Sequence, residues 1–375
     1  MSHDLHDSEA TLPLHREAMA QFTGKWPTGY RPRWKRRAGW HLTAMLLSLG
    51  GGMAASHVLI LGPPAFWPLV VLSWMITVHG ARKGQLVINH YGVHGKLTGR
   101  KGYDRLIVEV VSTLLVTQDY RSYYRDHIKT HHHPQQLATA EDPDMQFLLA
   151  LGFRPGMSRR ALWQCLYTTI ISPRFHYLFI RERLTTNFMS APGYRRLMAG
   201  LHAAAVSSLL FYTGSWALWV AAWGIPLLPL YHIAALLQFV SEHRWGRDHP
   251  VSTHKHTDHL TFGRFAGDSL PARDLSMRDK MATWSRWTLR LLFLHIPTRL
   301  CVLPGDLAQH DWHHRHPGGD WSNAGYERQR DLDAGCPGWH ETYEEIWGLD
   351  RAIQTVFDSM ARSRSLPATS AQSGA

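Results

Sequence analysis

Nine histidines occur in four short groups whose spacing suits metal binding. In chain order the groups are His90 and His94; His127, His131 and His132; His243; and His310, His313 and His314. On a helix, residues four positions apart share a face, so the pairs 90/94, 127/131 and 310/314 can each bind one ion. Nine imidazoles exceed the capacity of one ion, whereas two ions with four or five nitrogens each account for all of them.

The residue types also narrow the choice of metal. Imidazole nitrogens indicate iron, copper or zinc, because magnesium and calcium prefer oxygen ligands. Two nitrogen-rich sites whose metal ions keep an unfilled coordination position would suit iron that binds dioxygen. The abundance of histidine, 26 among 375 residues, agrees with a metal-binding role. The three cysteines, Cys165, Cys301 and Cys336, form no C-x-x-C pair, which excludes a disulfide scaffold and a thiolate zinc ribbon.

Two long segments without charged residues must position these groups. Residues 38–81 and 197–241 contain no Asp, Glu, Lys or Arg over 44 and 45 residues. As helices, each would extend about 66 Å, roughly twice the hydrocarbon thickness of a bilayer. Each segment is therefore predicted to be a hairpin of two membrane-spanning helices. The predicted turns lie at Gly62-Pro63-Pro64 in the first hairpin and at Pro226 and Pro229 in the second.

Basic residues flank both hairpins at their outer ends, as at Arg36 and Arg37, Arg82 and Lys83, and Arg195 and Arg196. The positive-inside rule then predicts that both hairpins enter and leave on the cytoplasmic side. The expected fold is an all-α integral membrane protein with four transmembrane helices in two hairpins and a cytosolic helical cap that carries the histidines. In a bacterium the location would be the inner membrane, with the active site on the cytoplasmic side.

The predicted organisation has three parts. Residues 1–37 form a polar, basic cytosolic segment without the apolar core of a signal peptide. Residues 38–361 form a single domain, with the cap built from 82–196 and 242–361. Residues 362–375, rich in Ser, Ala, Thr and Gly, are expected to be disordered.

The net charge of +11 indicates an anionic partner. No zinc-finger spacing, aromatic RNA-binding strand or basic heptad helix occurs, so nucleic acid is not an expected partner. The expected anionic partners are therefore a membrane surface and an acidic protein.

The order of the histidine groups resembles that of the integral-membrane fatty acid desaturases and their alkane-hydroxylase relatives. The motifs are H-x(3)-H at His90, H-x(3)-HH at His127 and H-x(2)-HH at His310, around two hairpins from about residue 38 to 316. The resemblance implies a centre of two Fe²⁺ ions, dioxygen as co-substrate and a fatty acyl chain in a tunnel above the membrane. It also implies electrons from an external ferredoxin, rubredoxin or cytochrome b5-type donor.

Two positions depart from the desaturase pattern and keep other reactions open. Acyl-CoA desaturases carry Asn four residues before the isolated ligand histidine, where this chain has Phe239. The Glu242-His243 pair is more similar to alkane hydroxylases. Desaturation is the first expectation, followed by hydroxylation and by decarboxylation of a fatty acid to a terminal alkene. A divalent-metal transporter is the alternative from another class, although histidines outside the spans count against it.

Further side chains near the groups are candidates for supporting roles. Four carboxylates adjoin the histidines and are candidates to orient them, namely Asp119, Asp126, Glu242 and Asp311. His133 makes the register of the second group ambiguous, and H-x(3)-HH favours His131 and His132. A loop containing His249, His254, His256 and His259 is more typical of a solvated segment than of a second metal site.

Overall fold

The computed structural model describes residues 10–247, 253–272, 274 and 276–363. This part of the chain is mostly helical, and its strands are only two or three residues long. The α-helices are α1 (Leu14–Thr23), α2 (Ala38–Leu61), α3 (Pro68–Lys83), α4 (His90–Val93), α5 (Lys101–Leu115), α6 (Tyr120–Tyr123), α7 (Pro143–Ala150), α8 (Arg159–Ile170), α9 (Pro173–Leu184), α10 (Gly193–Thr213), α11 (Trp216–Trp219), α12 (Tyr231–Glu242), α13 (Met277–Arg290), α14 (His310–Arg315), α15 (Ala324–Asp333) and α16 (Leu349–Arg362).

Wider π-helical turns extend several of these helices. They cover Gly84–Asn89, Tyr124–His131, Thr185–Met189, Val220–Gly224, Pro226–Leu230, Leu291–His295 and Thr298–Val302. Shorter 3₁₀ segments cover Pro64–Phe66, His254–Leu260, Leu307–Gln309 and Trp321–Asn323. Such π-turns are frequent at functional sites. Here Gly84–Asn89 directly precedes His90, and Tyr124–His131 contains His127 and His131.

Two small parallel sheets connect distant parts of the chain. Strand β1 (Ala10–Thr11) pairs with β2 (Tyr30–Arg31) near the amino terminus. Strand β3 (Gly263–Phe265) pairs with β4 (Glu345–Trp347), with Arg264 opposite Ile346. The second sheet therefore joins the segment after α12 to the segment before α16.

The first predicted hairpin is formed by α2 and α3. The chain reverses at Gly62-Pro63-Pro64, as the sequence predicts. A side chain at Gly80 would collide with the backbone of Leu49, so the glycine allows the two helices to touch. The hydroxyls of Ser56 and Ser73 also lie 2.8 Å apart across the interface.

The second hairpin turns at a different place from the one predicted. Helix α10 ends at Gly214, whose positive φ of 62° allows the chain to reverse. Helical structure then runs from Trp216 to Glu242, and Pro226 and Pro229 lie inside it within π-turns. The prediction of a turn at the two prolines was wrong, because the wider turns accommodate the missing N–H groups within the helix.

Two helices in the described part of the chain are long and apolar enough to cross a membrane, Ala38–Leu61 and Trp216–Glu242. A third candidate is the pair Met277–Val302 and Leu307–Arg315, bent by 86°. The sequence prediction missed this pair because α13 carries charges at Arg278, Asp279 and Lys280. By length and composition the candidate spans thus number two, or three if the bent pair counts, and the predicted four spans are not confirmed, because α3 and α10 do not qualify.

The larger hydrophobic core lies between α12, α16 and the loops around them. Val356, Phe357 and Met360 of α16 are fully buried there, together with Leu236 and Val240 of α12. Helix α16 extends to Arg362, the first residue of the predicted tail, and 364–375 lie outside the described residues. The core fixes the end of α12, where His243 is located.

A buried arginine joins α10 to α5. Arg195 has no exposed surface; its guanidinium donates to Ser112 and Thr113 at 2.8 and 2.6 Å and lies 3.4 Å from the Glu109 carboxylate. It also donates to Asn187 at 2.6 Å. The guanidinium therefore holds three segments together around a single charge.

Replacing Arg195 with alanine is expected to lower the free energy of unfolding by about 3–5 kcal/mol, because Glu109 loses its buried ionic partner and keeps only the hydrogen bond from Tyr194. Thermal denaturation in detergent measures the effect. The matched control is Arg196→Ala, since Arg196 is the exposed neighbour. An equal melting temperature for the two variants would contradict this account of Arg195.

Candidate metal centre

The first histidine group follows directly from the end of α3. The helix continues through the π-turn Gly84–Asn89 into α4, which begins at His90 and ends beside His94. The backbone N–H of His94 donates to the His90 carbonyl at 3.2 Å, so the two residues stand one helical turn apart. Both side chains consequently face the same side, as the four-residue spacing predicts.

The second group lies on the π-helix Tyr124–His131. A π-helix bonds residues five apart, and the N–H of His132 donates to the carbonyl of His127 at 2.9 Å. His127 and His132 therefore stand side by side, with their Nε2 atoms 3.1 Å apart. The prediction that His127 and His131 bind one ion together was wrong, because the wider helix turns His131 towards a different set of histidines.

The third and fourth groups meet across the protein. His243 follows the last residue of α12, and α14 carries His310, His313 and His314. On this α-helix His310 and His314 share a face, with their Nε2 atoms 3.1 Å apart, and His313 is turned away. Helix α14 therefore supplies histidines to two places at once.

The nine predicted histidines form two clusters, in each of which one side-chain nitrogen from every member lies within 4.8 Å of the others. Cluster A consists of His90, His94, His127, His132 and His313. Cluster B consists of His131, His243, His310 and His314. The division into five and four agrees with the expected capacity of two ions.

Four nitrogens of cluster A form a closed ring. Successive Nε2–Nε2 distances are 2.8 Å from His90 to His313, 3.1 Å from His313 to His132, 3.1 Å from His132 to His127 and 3.0 Å from His127 back to His90. Each imidazole nitrogen offers either one N–H or one lone pair. Because each contacts two others, at most two of the four contacts can be hydrogen bonds.

A shared cation fits this ring. If the four nitrogens occupy the corners of a square, its centre lies about 2.1 Å from each, the length of a metal–imidazole bond. The Nε2 atom of His94 is buried without a hydrogen-bond partner, which leaves it free to act as a fifth ligand.

Cluster B has similar spacing. The Nε2 atom of His310 lies 3.1 Å from those of His243 and His314. The carboxylate of Glu242 approaches the same His310 nitrogen to 3.9 Å. It also accepts a hydrogen bond of 2.8 Å from Gln238. Glu242 is thus the one predicted supporting carboxylate that lies at a cluster.

Burial keeps the imidazoles of cluster A in the form that binds metals. Burial, assisted by neighbouring imidazoles, holds the pKa of His90, His94 and His127 well below the ordinary value of histidine. They are therefore neutral at physiological pH, with a lone pair available for a cation.

Asp142 is a supporting residue that the sequence interpretation missed. It is fully buried at the start of α7, and its two carboxylate oxygens lie 3.0 and 3.1 Å from Nδ1 of His131. Asp144 is 3.4 Å from the same nitrogen. Burial lowers the pKa of His131, but the two carboxylates outweigh it and raise the pKa to about 9. Without a metal His131 is therefore protonated on both nitrogens at neutral pH. A cation in cluster B would displace the proton of Nε2, while the carboxylates hold the proton on Nδ1.

Tyr91 supports cluster A from the other side. Its ring stacks on His90 with centroids 4.8 Å apart and on Trp321 at 4.4 Å. Its hydroxyl donates to the carboxylate of Asp306 and lies 3.4 Å from Nδ1 of His313. The His-Tyr sequence at 90–91 was the only local signal of this role.

The remaining predicted carboxylates have structural partners. Asp119 caps α6 by accepting the N–H of Arg121 at 2.9 Å, and Asp126 accepts from Arg125 at 2.8 Å. Asp311 forms a buried ion pair with Arg328 at 2.7 Å. Each of these carboxylates therefore stabilises the fold around the clusters.

Of the other histidines singled out by the sequence, His133, His256 and His259 belong to neither cluster. His133 is exposed, which resolves the register of the second group in favour of His131 and His132. His249 lies outside the described residues, and His256 stacks on His340 instead.

One cavity of about 530 Å³ borders both clusters. His90 and His127 of cluster A and His131 and His310 of cluster B line it. Its apolar wall is formed largely by three packed rings, with Phe147 centred 5.6 Å from Phe179 and 5.3 Å from Phe239. Its polar side includes Arg82, Gln85, Gln238 and Glu242. An apolar chain with a polar region could thus reach both clusters.

Comparison with known proteins agrees with this arrangement. The family model described as fatty acid desaturase matches residues 65–347, most of the chain. No curated protein and no solved structure matches the sequence. The match includes every one of the nine clustered histidines. The chain belongs to the fatty acid desaturase family.

Proposed function

We propose that the protein is an oxygen-dependent diiron desaturase that introduces a double bond into an aliphatic acyl chain. The observation that carries the proposal is the single cavity beside both histidine clusters. Family membership supports an oxidoreductase that acts on lipids. The nine imidazoles support a metal such as iron, which accepts nitrogen ligands, and family membership supports iron over copper and zinc.

The nine histidines would hold two Fe²⁺ ions, five in cluster A and four in cluster B. When bound, this pair of ions supplies the activation of dioxygen and the oxidation of an unactivated C–H bond. Asp142 keeps the proton of His131 on Nδ1, and Tyr91 packs against His90. These contacts restrict the orientations of the imidazoles before any metal binds.

The cavity would fix which carbon of the substrate is oxidised. Phe147, Phe179 and Phe239 form a surface against which an alkyl chain can pack. The chain is thereby held at a defined distance from His127 and His310, and water is excluded from that side. Regiochemistry in this proposal is a matter of position rather than of reactivity.

Hydroxylation is the second candidate reaction, and one observation favours it. Gln238 and Glu242 bring polar groups into the cavity next to His310, where a hydroxyl product would find hydrogen-bond partners. Product analysis by mass spectrometry separates a double bond, an alcohol and a terminal alkene.

The remaining components of the proposal concern partners and location. Two electrons would come from a ferredoxin, rubredoxin or cytochrome b5-type protein, and the net charge of +11 would favour an acidic donor. The protein would be a multi-pass membrane protein with its active site on the cytoplasmic side, in agreement with the basic ends of the apolar segments.

Metal analysis of the detergent-purified protein, reconstituted with ferrous iron under anaerobic conditions, tests the proposal. About two irons per chain are expected, and an acyl substrate with a reduced donor should then yield an oxidised product in air. A single zinc retained despite iron supplementation would contradict it. Uptake of metal into vesicles without substrate oxidation would instead support a transporter.

Enlarging Ala235 tests the role of the cavity. Ala235 is buried in α12 and lines the cavity, so Ala235→Leu should fill part of it. We expect weaker binding of long chains, by on the order of tenfold in KM, because the larger side chain displaces part of the substrate and each CH2 left unburied loses about 0.8 kcal/mol. Metal content should remain unchanged. Kinetics over a series of chain lengths would reveal the effect, and an unchanged preference would contradict this placement of the substrate.

A further inference from the structure

A second cavity, of about 280 Å³, lies between the amino-terminal segment and the ends of the membrane helices. Three cationic side chains line it, those of Arg36, Lys83 and Arg299. None of the nine clustered histidines lines it, although Asp306 and Trp321, which contact Tyr91 beside cluster A, do. Its volume is slightly below the usual range for small-ligand sites, so it suits a small group such as a phosphate.

Within the described residues none of the three cations forms a close ion pair, although the charges of Asp306 and Glu17 act on them from a longer distance. Lys83 is only 6% exposed, and within the described parts of the chain its ammonium has neither a hydrogen bond nor an ion pair. Arg36 donates to the amide oxygen of Gln21, and Arg299 donates to backbone carbonyls, including Gly305 at 2.6 Å. A buried ammonium without a partner is costly unless a ligand supplies the missing charge.

Two carboxylates also line the cavity, but other groups bind them. Glu17 accepts the backbone N–H of Arg33 at 3.2 Å, and Asp306 accepts the hydroxyl of Tyr91. The second oxygen of Asp306 is buried without a partner. The cavity thus offers positive charge for an anion and, beside it, an acceptor for a hydroxyl group.

The position of the cavity points to the membrane surface. Arg36 lies two residues before α2, and Lys83 is the last residue of α3, so both mark the same end of the first hairpin. Trp34 lines the cavity and is 65% exposed, and Trp40 nearby is 60% exposed. Tryptophan and basic residues at helix ends are typical of the depth of lipid headgroups.

We propose that this cavity binds a phosphate group attached to a hydroxyl-bearing headgroup, such as that of phosphatidylglycerol. The phosphate would lie among Lys83, Arg36 and Arg299, and a headgroup hydroxyl would donate to the free oxygen of Asp306. Burial, with Arg299 and Arg36 nearby, lowers the pKa of Lys83 to about 8, and a bound phosphate would restore its full charge at neutral pH. The proposal does not depend on which reaction the clusters catalyse, although Asp306 also accepts the hydroxyl of Tyr91 beside cluster A.

Native mass spectrometry and thermal denaturation of the full chain in detergent test the proposal, with phosphatidylglycerol, phosphatidylcholine, inorganic phosphate and glycerol 3-phosphate as probes. We expect one retained phosphatidylglycerol, a higher melting temperature with that lipid and little effect of phosphatidylcholine. Lys83→Met should weaken the binding of phosphatidylglycerol by about fivefold or more. Stabilisation by inorganic phosphate alone, with the same dependence on Lys83, would identify free phosphate as the source.

The matched control is Lys35→Met, because Lys35 is an exposed lysine of the same segment that does not line the cavity. If Lys83→Met fails to fold, Arg36→Gln tests the same site from another side chain. The proposal would be overturned if Arg36→Gln, and Lys83→Met where it folds, bound phosphatidylglycerol as tightly as the wild type. Equal loss in Lys35→Met would also overturn it, since it would indicate attraction by surface charge alone.

Discussion

His313→Ala is expected to lower the metal content from about two ions per chain to about one and to reduce turnover by at least about 100-fold. His313 supplies one corner of the nitrogen ring in cluster A, 2.8 Å from His90 and 3.1 Å from His132. Loss of a group that merely orients a ligand already costs 10–100-fold in affinity or activity. Plasma mass spectrometry of the reconstituted protein measures the metal directly, without any substrate.

His133→Ala is the control for this variant. His133 is a histidine of the second group that is exposed and belongs to neither cluster. Its removal should leave two ions and normal turnover. A His313→Ala protein that retains two ions with full activity would refute the assignment of cluster A as a metal site, and loss of metal in His133→Ala would refute the register.

Asp142→Asn is expected to weaken the binding of one of the two ions by about 10–100-fold and leave the other unchanged. The substitution replaces the carboxylate that faces Nδ1 of His131 with a neutral amide. Asparagine caps a helix as well as aspartate does, so α7 should keep its start. The second oxygen of Asp142 also accepts the backbone N–H of Ala138 at 2.9 Å, and an amide NH2 group cannot replace it there. A lower melting temperature is therefore expected as well, but only the loss of metal affinity should be confined to one of the two ions.

Anaerobic titration of the protein with ferrous iron, with metal content measured after dialysis, separates the two ions. Glu141→Gln is the matched control, because Glu141 is the exposed carboxylate next in the chain. Asp144, 3.4 Å from the same nitrogen, could compensate in part, and the double variant with Asp144→Asn should show the larger loss. If the double variant bound both ions with wild-type affinity, Asp142 would not be a residue that positions His131.

The sequence predicted the hairpin of α2 and α3 correctly, because a charge-free segment and a Gly-Pro-Pro turn are local properties. It failed at the second hairpin. Whether Pro226 ends a helix or lies within it depends on the π-turns and on the packing of α12, and the local sequence predicts neither. The third membrane candidate was missed for a related reason, since the charges of α13 conceal its apolar continuation through Leu291–His295.

The histidines themselves could be predicted from their number, type and spacing, and so could their division between two ions. Which histidine joins which cluster could not. An α-helix would keep His127 and His131 together, but the π-helix observed there places them in different clusters and pairs His127 with His132. Asp142 reaches His131 because α7 begins beside the second group, and Trp321 packs on the ring of Tyr91, which stacks on its neighbour His90. Side-chain identity alone thus determined the kind of site, and the helical geometry and long-range packing decided its arrangement.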